Sequence, residues 1–507
     1  MHLSAAPSRM STSEILWEYT RSLCPVCRQV IDGQIYLRDD KVFLRKRCPE
    51  HGSFEALIFG DAQLYTDIAR FNKPGTPPRR YATPVRDGCP YDCGLCSDHQ
   101  QHSCLGVIEV TNACNLDCPL CFASAGTNHK HDYASFELTY EQVEAMLETY
   151  IACEGSPEVL QFSGGEPTLH PRILDFIALA QRKGIQYVML NTNGIRIARD
   201  DRFLEGLARL KPHIYLQFDG FEPGTNRILR GKEDLIHEKL RALERLAAVD
   251  VRVVLVAVIE RDVNEHEVGR ILEFGLRHPA VFGINFHCAF HSGRHPPVDP
   301  LRRITIPDVV AELEAQSGGL LTLKDFVPVP CCMPVCHFVT YTLLQGDSVT
   351  PVPRLLPVEQ YLDYLKNRSM PALDDELLHL LERLWSSSAP GRSDQLSFEL
   401  AGMLGQPTLA SSRTSERCPS CHAHLPISQH EPRDLGRHIF MVSIRDFMDP
   451  WTFHMKNAMK CCLNFITPDG RMIPFCTYNT VSYREQIAGQ LSEKPTLSIL
   501  PAKGGPL

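Results

Sequence analysis

The sequence predicts an α/β protein organised around a partial (β/α)6 barrel of parallel strands. Three observations predict it. Short β-branched runs alternate with helical spacings through the middle of the chain. Polar, glycine-containing motifs follow the runs one by one. Cysteines crowd both flanks and are nearly absent between them, as expected of one central domain with metal-bearing appendages. Strand–helix alternation of this kind implies parallel strands covered by crossover helices.

Strands are expected at 105–110, 158–162, 186–190, 213–218, 251–258 and 281–286. Helices are expected at 140–152, 172–183, 235–249 and 265–278. The first helix, for example, spaces Val143, Met146, Leu147 and Ile151 on one face. Each strand is followed by chemistry-bearing residues. The first five loops carry a cysteine trio, SGGEP (163–167), NTNG (191–194), DG (219–220) and ERD (260–262). HCAFHSGRH (287–295) follows the sixth strand and holds His287, His291 and His295. All six loops fall at strand C-terminal ends, the face on which α/β barrels build active sites.

Composition bounds the function. The 507 residues exceed a single core, and a net charge of -8 argues against nucleic acid as a partner. No apolar run of about 18 residues appears, so no spanning helix is expected. The N-terminus lacks an apolar signal region, so a cytoplasmic location is expected. In a reducing compartment the twenty cysteines read as metal ligands rather than disulfides. Cys153 reads as core, and Cys288 as either core or site.

The trio Cys114, Cys118 and Cys121 has C-x3-C-x2-C spacing and is followed by Phe122. With one more ligand it could hold a structural zinc, but such a site has no use for the GGEP loop or the barrel. Set after a first barrel strand and before GGEP, the motif resembles the radical S-adenosylmethionine (SAM) superfamily across about residues 105–300. The resemblance implies a [4Fe-4S] cluster with three thiolate ligands and one open iron that binds SAM. It also implies reductive cleavage of SAM to a 5'-deoxyadenosyl radical, with electrons from a donor such as ferredoxin or flavodoxin. Gly164, Gly165 and Glu166 would then hold the methionine end of SAM. Asn191 and Asn193 would face its ribose or carboxylate, unless NTNG is only a turn. Gln217, Asp219 and Arg230 would reach SAM or substrate. No catalytic side chain can be named.

The flanks add further ligands. Cys89, Cys93 and Cys96 repeat the trio spacing and suit an auxiliary cluster, with Cys104 or a distant residue as fourth ligand. Cys24, Cys27, Cys48 and His51 fall on two knuckles joined by a strand-like ribbon, a pattern for one mononuclear iron or zinc. The segment CCLNFITPDGRMIPFC reads as a hairpin with Cys462 and Cys476 at its ends. Cys331, Cys332 and Cys336 offer more auxiliary ligands, as do Cys418 and Cys421. A helix and linker are expected over 370–400.

Over about residues 20–485 this layout resembles the class D radical SAM methylases and tetraether lipid synthases. That implies one or two auxiliary [4Fe-4S] clusters and a rubredoxin-like ribbon. The expected organisation is a tail and ribbon (1–72), an auxiliary segment (73–104), the core barrel (105–300), a helical region with Cys331–Cys336 (301–400), a cysteine-rich hairpin region (401–490) and a disordered tail (491–507). Two activities follow, both carbon–carbon bond formation at unactivated carbon. Coupling of lipid alkyl chains, with peripheral membrane contact, is expected first. Methylation of a pterin-like small molecule is the alternative. The first needs a long apolar channel, the second a small polar and aromatic pocket.

Overall fold

The computed structural model describes residues 14–126, 135–346, 348–354 and 439–493. The expected helix and linker over 370–400, Cys418, Cys421 and the last fourteen residues of the tail lie outside them. Two sheets form. The first is an antiparallel meander of β1 (Ile15–Leu23), β2 (Val30–Arg38), β3 (Lys41–Cys48) and β4 (Gly52–Phe59). It is the expected ribbon, and Lys46 fastens it to the rest of the chain. The Lys46 ammonium is 2% exposed and donates to Pro450 O (2.7 Å), Trp451 O (2.8 Å) and Ser22 Oγ (3.1 Å).

The second sheet holds twelve strands. Its centre is the six expected parallel strands in sequence order: β5 (Leu105–Glu109), β6 (Val159–Ser163), β7 (Tyr187–Thr192), β8 (His213–Gln217), β9 (Val253–Ile259) and β10 (Val281–Cys288). Helices such as Tyr140–Glu154, Ile173–Arg182, Leu235–Ala248 and Val268–Arg277 connect them. The first starts at a capping box between Thr139 and Gln142 and ends on Gly155 at φ +82°.

The sheet extends beyond six strands at both edges. On one side β11 (Val327–Pro328), β12 (His337–Gln345) and β13 (Ser348–Pro351) form an antiparallel group. The strand β14 (Ile439–Asp446) inserts between β10 and β12, parallel to β10. On the other side β15 (Leu463–Ile466) pairs parallel with β5 and antiparallel with β16 (Met472–Pro474). The expected hairpin is therefore present as a sheet edge. Cys476 lies past it, on the helix Phe475–Thr480.

Side chains alternate across this sheet with period two. One face packs the helices through Ile108, Phe162, Leu190, Leu216, Leu255 and Phe286, all fully buried. Cys288 and Cys153 belong to that layer and are core residues. The other face, from Leu105 and Val107 through Met189, Tyr215, Val254 and Val256, closes over a second interior that contains the site.

The loop after β10 is anchored by His291, which is 4% exposed. Its Nε2 meets Glu260 Oε2 at 3.0 Å and its Nδ1 meets Asp449 Oδ2 at 3.6 Å. Burial alone would depress this imidazole, but hydrogen bonds with Asp449 and Glu260 outweigh it and raise its pKa to about 9. The folded state thus binds the proton more tightly than the unfolded chain. Its stabilisation is complete below about pH 6.5, the unfolded value, and is lost as pH rises through 9. Urea unfolding should show stability falling by up to about 3 kcal/mol across that window, and H291N should flatten the slope.

Candidate functional site

The site is a cavity of about 220 Å³ over the inward face of the large sheet, at the strand C-termini. Cys114, Cys118 and Cys121 line one side of it, together with Gly164, Gly165, Glu166, Asn191, Asn193, Gln217 and Arg230. The structure therefore brings together every residue that the sequence placed near SAM except Asp219, which sits directly behind Arg230.

The cysteine loop is held by backbone on two sides. Gly165 N–H donates to Thr111 O and Glu166 N–H to Ala113 O, each at 2.8 Å. A Cβ on Gly164 (φ +141°) would lie 2.2 Å from Thr111 O, and one on Gly165 would lie 2.3 Å from Ala113 O. The paired glycines make room for the cysteine loop itself. On the other side Cys121 and Arg294 exchange backbone hydrogen bonds of 2.8 and 3.0 Å.

Glu166 is 1% exposed, and its carboxylate accepts four hydrogen bonds. Thr168 donates through N–H (3.0 Å) and Oγ1–H (2.6 Å), Thr192 through Oγ1–H (2.8 Å) and Asn193 through N–H (2.8 Å). Asn193 in turn donates to Asn115 Oδ1 at 2.7 Å, which ties the NTNG loop to the cysteine loop. Asn191 donates to Ser163 Oγ at 3.2 Å.

Gln217 accepts from the buried Lys239 ammonium at 2.5 Å and donates to Asp219. Burial lowers the Lys239 pKa to about 8 against the pull of Asp219. Arg230 and Asp219 form a bidentate pair at 2.6 and 2.7 Å, and the carboxylate has no solvent exposure. Arg230 also faces Cys118 and opposes the rise that burial imposes on that thiol. Burial pushes Cys114 to about 12, so metal binding at this loop must expel protons. Removing Arg230 would strand a buried carboxylate. R230A should therefore lose about 3–5 kcal/mol in urea unfolding, and R230A/D219N should recover part of it.

The remaining thiols fall into groups. Cys24, Cys27, Cys48 and His51 converge within 4.8 Å, the donor set of a single tetrahedral ion. Their contacts include His51 Nδ1 to Cys48 Sγ (3.5 Å) and to Cys24 Sγ (3.8 Å). Cys104, Cys331 and Cys462 converge likewise, with Cys331 and Cys462 Sγ atoms 3.4 Å apart, and Cys332 adjoins them. Cys104 thus sits with Cys331 and Cys462 rather than completing the Cys89 trio. Cys89, Cys93 and Cys96 line a small hollow with Ala458 and Met459, and outside the trio the thiol that acts on Cys93 is Cys461. Cys336 packs with the Cys104 group and Cys476 with the Cys93 group.

Neither the Cys114 trio nor the Cys89 trio gathers within 4.8 Å. Thiolates around one zinc lie about 3.8 Å apart for bonds of ~2.3 Å.

Of the far wall the sequence offered only His287, Cys331 and Cys462, and it missed the rest. Asn285, His287, Ser443, Arg445 and His337 line the cavity from β10, β14 and β12, as do Cys331 and Cys462. Aromatic rings close it: Phe122 and Phe290 lie 5.5 Å apart, Phe447 and Phe475 4.3 Å, Phe465 and Phe475 5.3 Å. His295 is not part of the wall and its Nδ1 lies 2.8 Å from Pro296 O. The alternation Met441, Ser443, Arg445 was the available signal.

Residues 108–275 match the Radical SAM superfamily, and residues 16–60 match the HMPTM N-terminal zinc ribbon domain. Over 502 residues the chain is 33% identical to a 7,8-dihydro-6-hydroxymethylpterin dimethyltransferase of Methanocaldococcus jannaschii, covering 93% of this chain and 95% of that protein. It is 27% identical over 225 residues to a GTP 3',8-cyclase of Chlorobaculum tepidum, covering 42% of this chain and 63% of the cyclase. The SAM-bound crystal structure of Streptococcus suis SuiB aligns with 37% of this chain and 39% of its own, at 17% identity and a TM-score of 0.29.

The chain belongs to the radical SAM superfamily, in the group it shares with the full-length dimethyltransferase relative. It is a radical SAM enzyme, and its central domain implies a [4Fe-4S] cluster and SAM. The ribbon suits one mononuclear metal. H51A in the full chain should lower bound mononuclear metal by one atom while the iron–sulfur absorbance persists. Unchanged metal content would remove His51 from the site.

Proposed function

We propose that this enzyme methylates a reduced, hydroxymethyl-bearing pterin. The observation that carries the reading is the cavity itself, small, ringed by aromatic side chains and set with polar groups on its far wall. A flat heteroaromatic ring fits such a space, whereas two long alkyl chains need an extended apolar channel. At about 220 Å³ it lies just below the usual range of roughly 300–1,000 Å³ for small-molecule pockets. Among the described residues no helix is long and apolar enough to cross a membrane. Similarity along almost the whole chain to a pterin dimethyltransferase supports the same choice. The order expected from sequence is therefore reversed, with small-molecule methylation ahead of lipid coupling.

In this reading Cys114, Cys118 and Cys121 hold the cluster that binds SAM. When bound, cluster and SAM supply a 5'-deoxyadenosyl radical that removes a hydrogen atom from carbon. Glu166 braces the three loops around it, while Asn191, Asn193 and Gln217 border the SAM side of the cavity. Arg230 sets a fixed positive charge beside Cys118. The aromatic ring of Phe122, Phe290, Phe447, Phe465 and Phe475 excludes water and stacks the substrate. Cys89, Cys93 and Cys96 with Cys461, and Cys104, Cys331, Cys332 and Cys462, are assigned to two auxiliary clusters.

The test is mass spectrometry after anaerobic incubation of reconstituted, reduced enzyme and SAM with 7,8-dihydro-6-hydroxymethylpterin. Arms with and without a reduced folate one-carbon carrier identify the methyl source, and a glycerolipid is offered separately. One or two methyl increments on the pterin, lost in C114A/C118A/C121A, are expected. An untouched pterin alongside a dehydrogenatively coupled lipid would overturn the reading.

A further inference from the structure

The far wall carries polar groups that no described residue satisfies. Register places them side by side. Asn285 on β10 lies opposite Ser443 on β14, and one pleat nearer the strand ends His287 lies opposite Arg445, which in turn lies opposite His337 on β12. All five side chains face the cavity. Asn285, Ser443 and His337 are 2%, 1% and 9% exposed. Yet Asn285 Oδ1, Ser443 Oγ, His337 Nε2 and Arg445 Nε are buried without a hydrogen-bond partner. Among the described residues the Arg445 side chain makes no hydrogen bond or ion pair. Buried polar atoms are normally satisfied, so four orphans in one patch on a cavity wall point to a ligand that satisfies them.

The patch has a chemical polarity. Arg445 can only donate. Asn285 is oriented: its Nδ2 donates to the Tyr215 hydroxyl, which also meets His287 Nε2 at 3.3 Å, so its Oδ1 is left as an acceptor toward the cavity. Ser443 and His337 can play either part. A donor beside an acceptor matches an edge that presents an oxygen next to an N–H. Phe447, just past the end of β14, carries the aromatic wall on from Arg445. The preferred ligand is therefore planar as well as polar.

We propose that Arg445 and Asn285 anchor the substrate by its lactam edge, Arg445 donating to the ring carbonyl oxygen and Asn285 Oδ1 accepting from the adjacent ring N–H or amino group. This rests on the pterin reading above and deepens it, because it fixes which edge is read and by which strands. The residues lie on β10 and β14, outside the segment matched to the superfamily. Substrate choice is thus built by the sheet extension and SAM chemistry by the centre.

Arg445 also faces Cys461, where it opposes the rise that burial imposes, and Cys462, where it adds to the lowering by Cys104, so a role confined to those thiols must be separated from ligand binding. The test is equilibrium binding to anaerobically reconstituted full-length protein, read by ligand fluorescence, with iron content measured on the same samples. The probes are 7,8-dihydro-6-hydroxymethylpterin, guanine (which shares the lactam edge) and 2,4-diaminopteridine, which replaces the carbonyl with an amino group. R445M and N285L should each weaken dihydropterin binding by about 10- to 100-fold, the effect of losing a hydrogen bond to a charged or buried partner. R445K should fall between wild type and R445M. Binding of 2,4-diaminopteridine should change by less than about threefold in R445M, because its edge offers no oxygen to lose.

Dihydropterin binding unchanged in R445M and N285L would overturn the proposal while leaving the pterin reading intact. Loss of iron in R445M with normal binding in N285L would also overturn it, assigning Arg445 to the thiols. Arginine-dependent binding of guanine with no binding of the dihydropterin would keep the anchor and reject the pterin. Binding of none of the probes to the wild type would reject both.

Discussion

The Glu166 carboxylate lies between three loops, and the site depends on where it holds them. Its own N–H fastens to Ala113 in the cysteine loop, and its oxygens gather Thr168, Thr192 and the Asn193 N–H. A charge with 1% exposure is tolerable only when its lone pairs are filled, and four donors fill them. Hydrogen bonds to a charged group contribute about 1.5–3 kcal/mol each, so the loops are fixed relative to one another more firmly than turn chemistry alone would manage. Gly164 and Gly165 make that geometry reachable, since any side chain there would collide with the Thr111 or Ala113 carbonyl. The entry to the cysteine loop, at Thr111 and Ala113, is thereby held against the GGEP loop.

A second constraint divides labour across the sheet. Period-two alternation sends every other residue of the parallel strands into the helix-covered core and the rest into the cavity. Near the centre the cavity residues lie on the side of the cysteine loop, as Asn191 and Gln217 do. Toward β10, β14 and β12 they become the orphaned polar patch. The two thiol-bearing sides, Cys114–Cys121 and Cys331 with Cys462, both border the same space. A substrate held there would lie between them.

Much of this was legible in the sequence, for identifiable reasons. Strands buried on both faces read as unbroken apolar runs, so VVLVAVI could hardly be anything else. The cysteine trio, the GGEP loop and the four ribbon ligands are local patterns with fixed spacing. What stayed hidden depends on long-range pairing. The strand β14 follows β13 by 87 residues, and between it and its parallel partner β10 the chain makes the helix Ile306–Gln316 and the antiparallel β11–β13 group, so no simple strand–helix–strand alternation marks its place. Arg445 and Ser443 were invisible as site residues for that reason. Cys104 and Cys462 meet across more than 350 residues, a convergence that spacing cannot encode. Cys461 was passed over although adjacent residues in extended chain point to opposite sides, which lets Cys461 and Cys462 serve different groups. Gly164 and Gly165 were recognised, but as space for a ligand rather than for the neighbouring loop.

One cavity joins the cysteine loop to a polar, aromatic wall, and the proposed substrate of that cavity is a pterin. A crystal structure of the anaerobically reconstituted protein with SAM and 7,8-dihydro-6-hydroxymethylpterin tests it most directly. The account predicts a four-iron cluster on Cys114, Cys118 and Cys121, SAM against the Gly164–Glu166 loop, and the pterin ring stacked among Phe122, Phe290 and Phe447 with its carbonyl edge at Arg445. A pterin bound away from this cavity, or an apolar tunnel holding lipid where the aromatic wall should close, would contradict it.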